Sequence, residues 1–230
     1  MDSEFPRAKL ILGSASVARR KIMEEMGYEF IVITADIDEK SLRLEKPEEL
    51  VTALADAKAD AIIKKLHKEI EKDVEHQLLV AADTVRTVSG CEQVVEPTLL
   101  VTSDQVVVFE GAIREKPTCK EEARYFIEGY SGSRAATVTA VLVTDVKSGS
   151  KRGQWDRVEI HFSEIPEEVI ETLLNDETIL KVAGGLIIEH PLISPYVKEV
   201  VGTRDSVMGL PKELTERLIK ETQCAFKAKN

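Results

Sequence analysis

Residues 99–109 read LLVTSDQVVVF, an apolar run with one carboxylate, Asp104, at its centre. The run is rich in β-branched residues and predicts a buried strand. An aspartate in such surroundings is costly unless it is paired, bound to a metal or working as a base. Lys116 and Pro117 follow twelve residues after Asp104, so one turn can return a cation to the same end of the strand. The stretch therefore predicts a charged site on a central strand.

A competing aspartate lies upstream, where LLVAA at residues 78–82 predicts another strand and Asp83 follows it. The position twelve residues after Asp83 is Val95, so no Lys-Pro pair stands there. A Ser-Gly-Cys loop follows instead of a sustained strand. We therefore favour Asp104 over Asp83 as the functional carboxylate.

Outward from residues 99–109, helix and strand patterns alternate in the first half of the chain, and strands follow one another in the second. The predicted strands cover residues 9–13, 29–34, 78–82, 99–109, 134–146 and 156–162. Five helices are predicted. The first ends at Gly27, the next three cover residues 47–72, 120–130 and 166–176, and the last begins at Pro211. This order predicts a mixed α/β fold with two lobes around a cleft, formed by a single domain over residues 1–230.

The composition excludes several classes of protein. The 230 residues include 31 Lys and Arg against 41 Asp and Glu, a formal net charge of −10, whereas a nucleic-acid binder needs a basic face. No apolar run approaches the roughly 18 residues of a membrane span, and the N-terminal stretch lacks the apolar core of a signal peptide. The three cysteines fit neither a zinc site nor a disulfide framework. We expect a cytoplasmic protein with no membrane and no nucleic-acid partner.

The junction between the first strand and the first helix, Gly13-Ser14-x-Ser16, is a candidate anion site. A helix N-terminus presents unpaired N–H groups and a partial positive charge. Ser14 and Ser16 add hydroxyl donors, and Arg19 and Arg20 add planar cations that suit phosphate. An ordinary serine cap with solvated arginines explains the same residues about equally well.

The long predicted helix carries a cation beside its apolar stripe. Lys58 stands four residues after Leu54 and four before Ile62, so the three share one side of the helix. A lysine at such a place commonly extends its ammonium along the apolar surface to solvent. The functional alternative is an ammonium that enters the cleft. The predicted stripe comprises Leu50, Leu54, Ala61 and Ile62.

The loop after the second predicted strand, ADIDE at residues 35–39, is acidic. Asp36 and Asp38 alternate along it, and carboxylates at a strand end can hold Mg²⁺ or Mn²⁺, which prefer oxygen ligands. A solvated turn is the alternative, and by itself the loop favours that alternative.

Seven short motifs follow one another along the chain: SASVARR, ADIDE, LADAKA, SDQVVVFEGAIREKP, YSGSRAATVTAV, KVAGG and SVMGLP. Taken together and in this order, they resemble the Maf family of nucleotide pyrophosphatases, whose members were first named for septum formation. The resemblance covers roughly residues 8–222. The resemblance implies an inosine-triphosphatase-like α/β fold with a cleft between two lobes, and commonly a homodimer. It also implies cleavage of a nucleoside triphosphate to the monophosphate and pyrophosphate with a divalent metal such as Mg²⁺, Mn²⁺ or Co²⁺.

The resemblance also implies roles for individual residues. Asp104 matches the general base beside the metal, and Asp38 and Asp36 match the acidic loop near that metal. The phosphate-binding positions are matched by Ser14, Ser16, Arg19, Lys58 and Lys116. The two lysines are also expected to be catalytic, by neutralising the charge that grows on the leaving pyrophosphate. The segment at about 70–98 is longer than in the usual bacterial form, and we expect an extra strand or loop there.

Three positions bear on the base of the nucleotide. The family members that act on 7-methyl-GTP have a Ser-Pro-Trp-Arg-Arg spacing, Gln after the catalytic Asp, and Glu in a late loop; here Ala18 replaces the Trp, and Gln105 and Glu189 match. A carboxylate accepts two hydrogen bonds from the adjacent N–H groups of guanine but offers no donor to uracil. Glu189 therefore favours 7-methyl-GTP. The loss of the aromatic at Ala18 leaves a dTTP/UTP pyrophosphatase open, and a non-catalytic nucleotide-binding regulator of division is a third reading.

Overall fold

The computed structural model describes residues 8–72 and 97–227. Its strands are β1 Lys9–Leu12, β2 Phe30–Val32, β3 Thr98–Phe109, β4 Ala112–Arg114, β5 Arg134–Asp145, β6 Lys151–Phe162 and β7 Val197–Val201. Its α-helices are α1 Val17–Glu25, α2 Pro47–Lys72, α3 Lys120–Tyr130, α4 Glu167–Leu173, α5 Arg204–Val207 and α6 Lys212–Lys227. Short 3-10 helices occur at Glu39–Ser41, Glu177–Lys181, Ala183–Gly185 and Ser194–Tyr196. The predicted strand at 78–82 and Asp83 lie outside the described residues.

The seven strands form one mixed sheet in the order β2-β1-β3-β5-β6-β7, with β4 paired to β3. β1 is parallel to β2 and β3, and the other pairs are antiparallel. Every residue of β3 except Gln105 is buried, which explains the apolar runs at residues 99–101 and 106–109 on either side of its polar centre. The prediction of a mixed α/β fold is confirmed, and the strand predicted from residues 99–109 is the central one.

Helix α2 covers one face of the sheet. It begins at Pro47, whose fixed φ suits the first helical position, and two glutamates follow in its first turn, where the helix dipole favours negative charge. Leu54 and Ile62 pack against Leu100 and Val106 of β3 in one apolar cluster. The stripe was predicted to include Ala61, which is only half-buried. The other three predicted residues, Leu50, Leu54 and Ile62, are buried, and the buried row also includes Val51, Ala55, Ala59 and Leu66.

Two separate apolar clusters occupy the opposite face. One lies between α1, α6 and the end of the sheet near β1, where Ile22 and Leu214 join Leu12 and Val101. The other lies beneath α3 and α4; its members include Phe126, Leu173, Val107 and Phe162. The stretch of β3 around Gln105 lies between these clusters. Polar contacts are therefore possible there without interrupting either core.

Several element bounds differ from those predicted. β6 begins at Lys151 and not at residue 156, because its first five residues are exposed and lack an apolar alternation. β4 was not predicted, and β2 is three residues long rather than six. Within the described part of the chain, no helix combines the length and the apolarity that crossing a bilayer requires.

Candidate active site

A gap in the pairing of β3 lies at the centre of the sheet. β1 pairs with β3 only as far as Val101, and β4 pairs with it from Val107 onward. On that side no strand of the described residues adjoins positions 102–106, whereas β5 pairs with all of them on the other side. Asp104 lies in the middle of this gap. An unpaired strand edge presents backbone donors and acceptors, so the gap offers polar groups to a ligand.

The side chains of β3 at the gap alternate between the two faces of the sheet. Thr102 faces α2, since its hydroxyl donates to the Ala55 carbonyl at 2.9 Å. Asp104 faces the same way. Ser103 and Gln105 face the opposite side, where each contacts the segment around α5. The gap therefore presents Asp104 on the side of α2 and the neutral polar residues Ser103 and Gln105 on the side of α5.

Four charged side chains meet on the α2 side. Lys58 Nζ lies 2.5 Å from Asp104 Oδ1 and 2.8 Å from Glu39 Oε1, so one ammonium joins two carboxylates. The side chains of Lys58 and Asp104 are only 14% and 12% exposed. Lys116 Nζ lies 3.6 Å from the other oxygen of Glu39. The prediction that Lys58, Asp104 and Lys116 lie together agrees with this geometry, and the ammonium of Lys58 is turned inward.

Glu39 was not among the predicted site residues, although it belongs to the predicted acidic loop. Asp36 and Asp38 are exposed, and Asp38 caps the 3-10 helix by accepting a hydrogen bond from the Lys40 N–H at 3.2 Å. The alternation that singled out Asp36 and Asp38 ends where the chain turns into this helix. Glu39, its first residue, is thereby directed to Lys58. In the described residues no three Asp, Glu, His or Cys side chains gather as a preformed metal cluster, and the metal site stays a prediction.

The charges of this cluster shift the ionisation of Glu39 and Arg19. Burial acts to raise the pKa of Glu39, but the hydrogen bond and charge of Lys58, with a contribution from Lys116, hold it below its usual value. Burial lowers the pKa of Arg19, and the carboxylates of Asp104 and Glu39 oppose that shift. Because arginine remains protonated in proteins, Arg19 adds a third cation to the site.

The β1–α1 junction brings Arg19 to the gap. Arg19 donates to the carbonyls of Ser103 at 2.8 Å and Gly209 at 2.9 Å, and to Ser14 Oγ at 3.3 Å. Ser16 caps α1 by accepting a hydrogen bond from the Arg19 N–H at 3.3 Å. A hydroxyl that accepts one hydrogen bond keeps its own hydrogen to donate, so both serines can serve an anion. The predicted grouping of Ser14, Ser16 and Arg19 is present.

Gly13 permits the close approach of this junction to the sheet. A Cβ on Gly13 would lie 2.6 Å from a methyl carbon of Thr102 and 2.7 Å from one of Ile62. Both distances are far shorter than ordinary carbon contacts. A larger residue would therefore push Ser14 away from the gap.

The other two predicted residues of the junction lie outside the charged cluster. Arg20 is exposed, and its nearest hydrogen-bond partner is the Ala15 carbonyl at 3.5 Å. Ala18 is half-buried on α1. Its neighbour Val17 is 78% exposed, although it is apolar.

Lys116 owes its place to β4. Arg114, the last residue of β4, is 6% exposed and donates to the Phe126 carbonyl at 2.8 Å. Its guanidinium lies 4.1 Å from the ring centre of Phe109 and 4.9 Å from that of Tyr130. Aromatic faces attract such a cation. The end of β4, two residues before Lys116, is therefore fixed against the apolar cluster beneath α3 and α4.

Gln105 and Glu189 lie on the opposite side of the gap. The Gln105 amide nitrogen donates to Thr139 Oγ1 at 2.7 Å and to the Ser206 carbonyl at 2.8 Å, so the amide oxygen is the atom left for a ligand. Glu189 is exposed as a residue, yet partial burial raises the pKa of its carboxyl group, while a hydrogen bond from its own backbone N–H and the charges of Arg204 and Lys21 act to lower it. Gln105 thus contacts α5, and Glu189 is near enough to Arg204, the first residue of α5, to feel its charge.

Comparison with known proteins identifies the family. Residues 9–222 match the family model described as Maf-like protein. The chain is 31% identical to the 7-methyl-GTP pyrophosphatase of Dictyostelium discoideum, over 92% of this chain and 96% of that protein. It is 30% identical to the dTTP/UTP pyrophosphatase of Syntrophus aciditrophicus, over 91% and 88%. It is 28% identical to a nucleoside triphosphate pyrophosphatase of Salinispora tropica, over 93% and 83%.

The family model covers both halves of the site, from the β1–α1 junction to the segment around α5. The order of the seven motifs and the mixed sheet agree with that match. The chain belongs to the Maf family.

Proposed function

We propose that this protein hydrolyses a nucleoside triphosphate to the monophosphate and pyrophosphate, and that 7-methyl-GTP is its preferred substrate. The observation that carries the proposal is the ammonium of Lys58, which joins the buried carboxylate of Asp104 to Glu39 at the gap in the sheet. Buried carboxylates paired in this way cluster at catalytic sites. The names of the relatives support the same reaction class.

Asp104 acts as the base in this proposal. It accepts a proton from a water molecule whose oxygen forms a bond to the α-phosphorus, while the bond from that phosphorus to the bridging oxygen breaks and pyrophosphate leaves. Lys58 Nζ, 2.5 Å from Asp104 Oδ1, keeps the Asp104 side chain oriented in the resting site. Attack at the α-phosphorus is the part of the proposal that comes from the family resemblance, since attack at the β-phosphorus would release the same two products.

Three cations compensate the triphosphate. Lys116 has a side chain that is 58% exposed, so its ammonium can move from Glu39 to a phosphate oxygen. Arg19 is held by backbone carbonyls and offers a fixed charge. These groups stabilise the charge that grows on the leaving pyrophosphate, which is where positioned cations lower the barrier most.

A divalent cation fits the donor set of this site. Asp104 and Glu39 present carboxylate oxygens beside one ammonium, and the exposed Asp36 and Asp38 belong to the same loop as Glu39. Mg²⁺, Mn²⁺ and Co²⁺ accept such oxygen ligands. When bound, the cation would neutralise phosphate charge and lower the pKa of the attacking water.

Glu189 and Gln105 support the preference for 7-methyl-GTP. The carboxylate of Glu189 can accept the two adjacent N–H groups of guanine, and the oxygen of Gln105 is a further acceptor on the same side of the sheet. Two relatives named 7-methyl-GTP pyrophosphatase, at 31% and 26% identity, also support it. Ala18, where an aromatic would stack on the base, favours the alternative dTTP/UTP activity.

The test is pyrophosphate release from 7-methyl-GTP, GTP, dTTP and UTP, each with Mg²⁺, Mn²⁺ or Co²⁺. We expect the highest kcat/KM for 7-methyl-GTP. A higher value for dTTP and UTP would favour the alternative substrate class. Nucleotide binding without hydrolysis of any of the four would favour a regulator and contradict the enzyme.

We also propose a homodimer in the cytoplasm. The dimer rests on the family resemblance, and the compartment rests on three cysteines whose odd number and wide spacing in the sequence fit no disulfide framework. Light scattering after size exclusion tests the dimer, since a mass near that of one chain would contradict it. Fractionation of cells with an antibody to the protein tests the compartment.

A further inference from the structure

Glu189 lies in a loop at residues 183–194 that is anchored at its start. Gly184 has a φ of +61°, and a Cβ there would lie 2.7 Å from the Tyr130 hydroxyl oxygen. Its N–H donates to the Glu115 carbonyl at 2.8 Å, and its carbonyl accepts from the Tyr130 hydroxyl at 2.9 Å. Burial raises the pKa of Tyr130 to about 12, so this hydroxyl keeps its hydrogen. Ile188, directly before Glu189, is 1% exposed.

His190, directly after Glu189, uses both ring nitrogens. Nδ1 accepts a hydrogen bond from the Leu192 N–H at 3.2 Å, and Nε2 lies 3.2 Å from Asp176 Oδ2. A backbone N–H can only donate, so Nδ1 must carry a lone pair and Nε2 must carry the hydrogen. The geometry therefore assigns one neutral tautomer, in which Nε2–H donates to Asp176.

The backbone of His190 is the centre of the turn. The N–H groups of Ile193 and Ser194 both donate to its carbonyl, at 2.9 and 2.8 Å, and its own N–H donates to the Ile187 carbonyl at 3.1 Å. Asp176 is in turn fixed, because its Oδ1 accepts the Thr178 N–H at 2.8 Å. The side chain of His190 therefore ties the residue after Glu189 to the start of the 177–181 helix.

We propose that His190, through Asp176, is a positioning residue that sets the Glu189 carboxylate for the base of the substrate; this rests on the proposed role of Glu189 in choosing 7-methyl-GTP. Two parallel hydrogen bonds to guanine need the carboxylate in one orientation. A base that cannot donate these two hydrogen bonds, such as uracil, does not benefit from a fixed carboxylate orientation. Loss of the His190–Asp176 contact should therefore lower the selection between substrates, beyond any general loss of activity.

The discriminating variant is Asp176→Asn. The amide oxygen of Asn can keep the hydrogen bond from the Thr178 N–H, which leaves the NH₂ group facing the Nε2–H of His190, two donors in opposition. If the ring changes tautomer to relieve this, Nδ1–H opposes the Leu192 N–H instead. The variant therefore breaks the contact without removing the cap of the helix. His190→Ala breaks the same contact by deletion.

The measurement is the ratio of kcat/KM for 7-methyl-GTP to that for UTP in wild type, Asp176→Asn, His190→Ala and Glu189→Gln. We expect the ratio to fall about tenfold in both contact variants. His161→Ala is the matched control, since His161 also lies beside a carboxylate, Glu159, at 3.7 Å but on β6. It should leave the ratio unchanged. The fluorescence of the single tryptophan, Trp155, shows whether His190→Ala folds. If it does not fold, the ratio measured for Asp176→Asn alone tests the positioning role of His190.

The outcomes separate this inference from the proposed function. If wild type does not prefer 7-methyl-GTP, or Glu189→Gln leaves the ratio unchanged, the role of Glu189 fails and the inference with it. If Glu189→Gln lowers the ratio but Asp176→Asn leaves it within about twofold of wild type, only the positioning role of His190 is overturned. An equal loss for both substrates overturns it as well.

Discussion

The two sides of β3 at the gap differ in the groups that they present and in the elements that carry those groups. On the α2 side, Lys58 of the long helix and Asp104 of the central strand have side chains that are only 14% and 12% exposed, and their charges pair directly. On the α5 side, Gln105 is held by neutral hydrogen bonds, and Glu189 stands exposed on a loop. Regular elements hold side chains more rigidly than loops, whereas loops tolerate substitution. The difference suggests that the reaction is fixed on the α2 side and that the choice of base can vary on the other.

The energetics of the two sides should differ accordingly. Removing one member of a buried pair leaves the other charge without a partner in a poorly solvated place, and that is costly. Removing an exposed carboxylate costs little stability, because water solvates both states. Substitutions of Lys58 or Asp104 should therefore affect turnover and stability together. Substitutions on the α5 side should affect selection.

The largest effect is expected for Asp104→Asn. The amide keeps the size of the side chain but cannot accept the proton of the attacking water, so kcat should fall about 10³-fold while nucleotide still binds. Rapid quench for turnover and equilibrium titration for binding provide the measurements. Asp83→Asn, at the competing aspartate of the sequence, is the control. Loss of turnover in Asp83→Asn but not in Asp104→Asn would move the base to the other motif.

The next effect separates two lysines of the same cluster. Lys58→Met leaves Asp104 and Glu39 without their shared ammonium, and we expect a loss of about 3 kcal/mol in the free energy of unfolding with a large fall in kcat. Lys116→Met should lower kcat with little change in stability, because that side chain is 58% exposed. Urea unfolding followed by Trp155 fluorescence measures both. Equal stability losses would mean that burial does not distinguish the two lysines.

The sequence predicted helices and strands best where a regular pattern of buried residues continues along the whole element. Helix 47–72 has the predicted bounds, because a long stripe of small and apolar residues faces the sheet along its length. β3 and β5 agree within a residue, because they are buried on both faces. β4 and the first half of β6 were missed for the opposite reason. A three-residue strand has no period, and the exposed start of β6 has no apolar side.

The site was predictable to the extent that its residues carry a local anomaly. Asp104 in an apolar strand and Lys58 beside an apolar stripe both stand out in the sequence. Their contact spans 46 positions and depends on how α2 crosses the sheet, which no local pattern gives. Glu39 carries no anomaly, since one carboxylate among three in a loop resembles its neighbours. Only the turn of the chain after Asp38 distinguishes it.

A smaller effect is expected on the α5 side. Glu189→Gln replaces one acceptor by a donor, so the ratio of kcat/KM for 7-methyl-GTP to that for UTP should fall about tenfold, which is close to 1.4 kcal/mol. Unfolding should be unchanged, since Glu189 is exposed. Steady-state kinetics with both substrates measure the ratio. If Glu189→Gln lowers stability but leaves the ratio unchanged, Glu189 stabilises the loop and does not select the base.

The smallest effect concerns acid stability at Glu39. Its pKa is lowered in the folded protein, so folding favours the ionised form, and the resulting stability is present above the unfolded value of about 4.3 and is lost as pH falls through the folded pKa. The side chain is 39% exposed, so solvent screening limits the contribution to about 0.5 kcal/mol. Glu39→Gln should lack this part of the acid-dependent loss between pH 7 and 3. Glu49→Gln is the matched control, because Glu49 lies at the same 2.8 Å from Lys46 but is more exposed, at 52%. Identical urea midpoints for Glu39→Gln and wild type at pH 7 would show that Lys58 gains its stability from Asp104 alone.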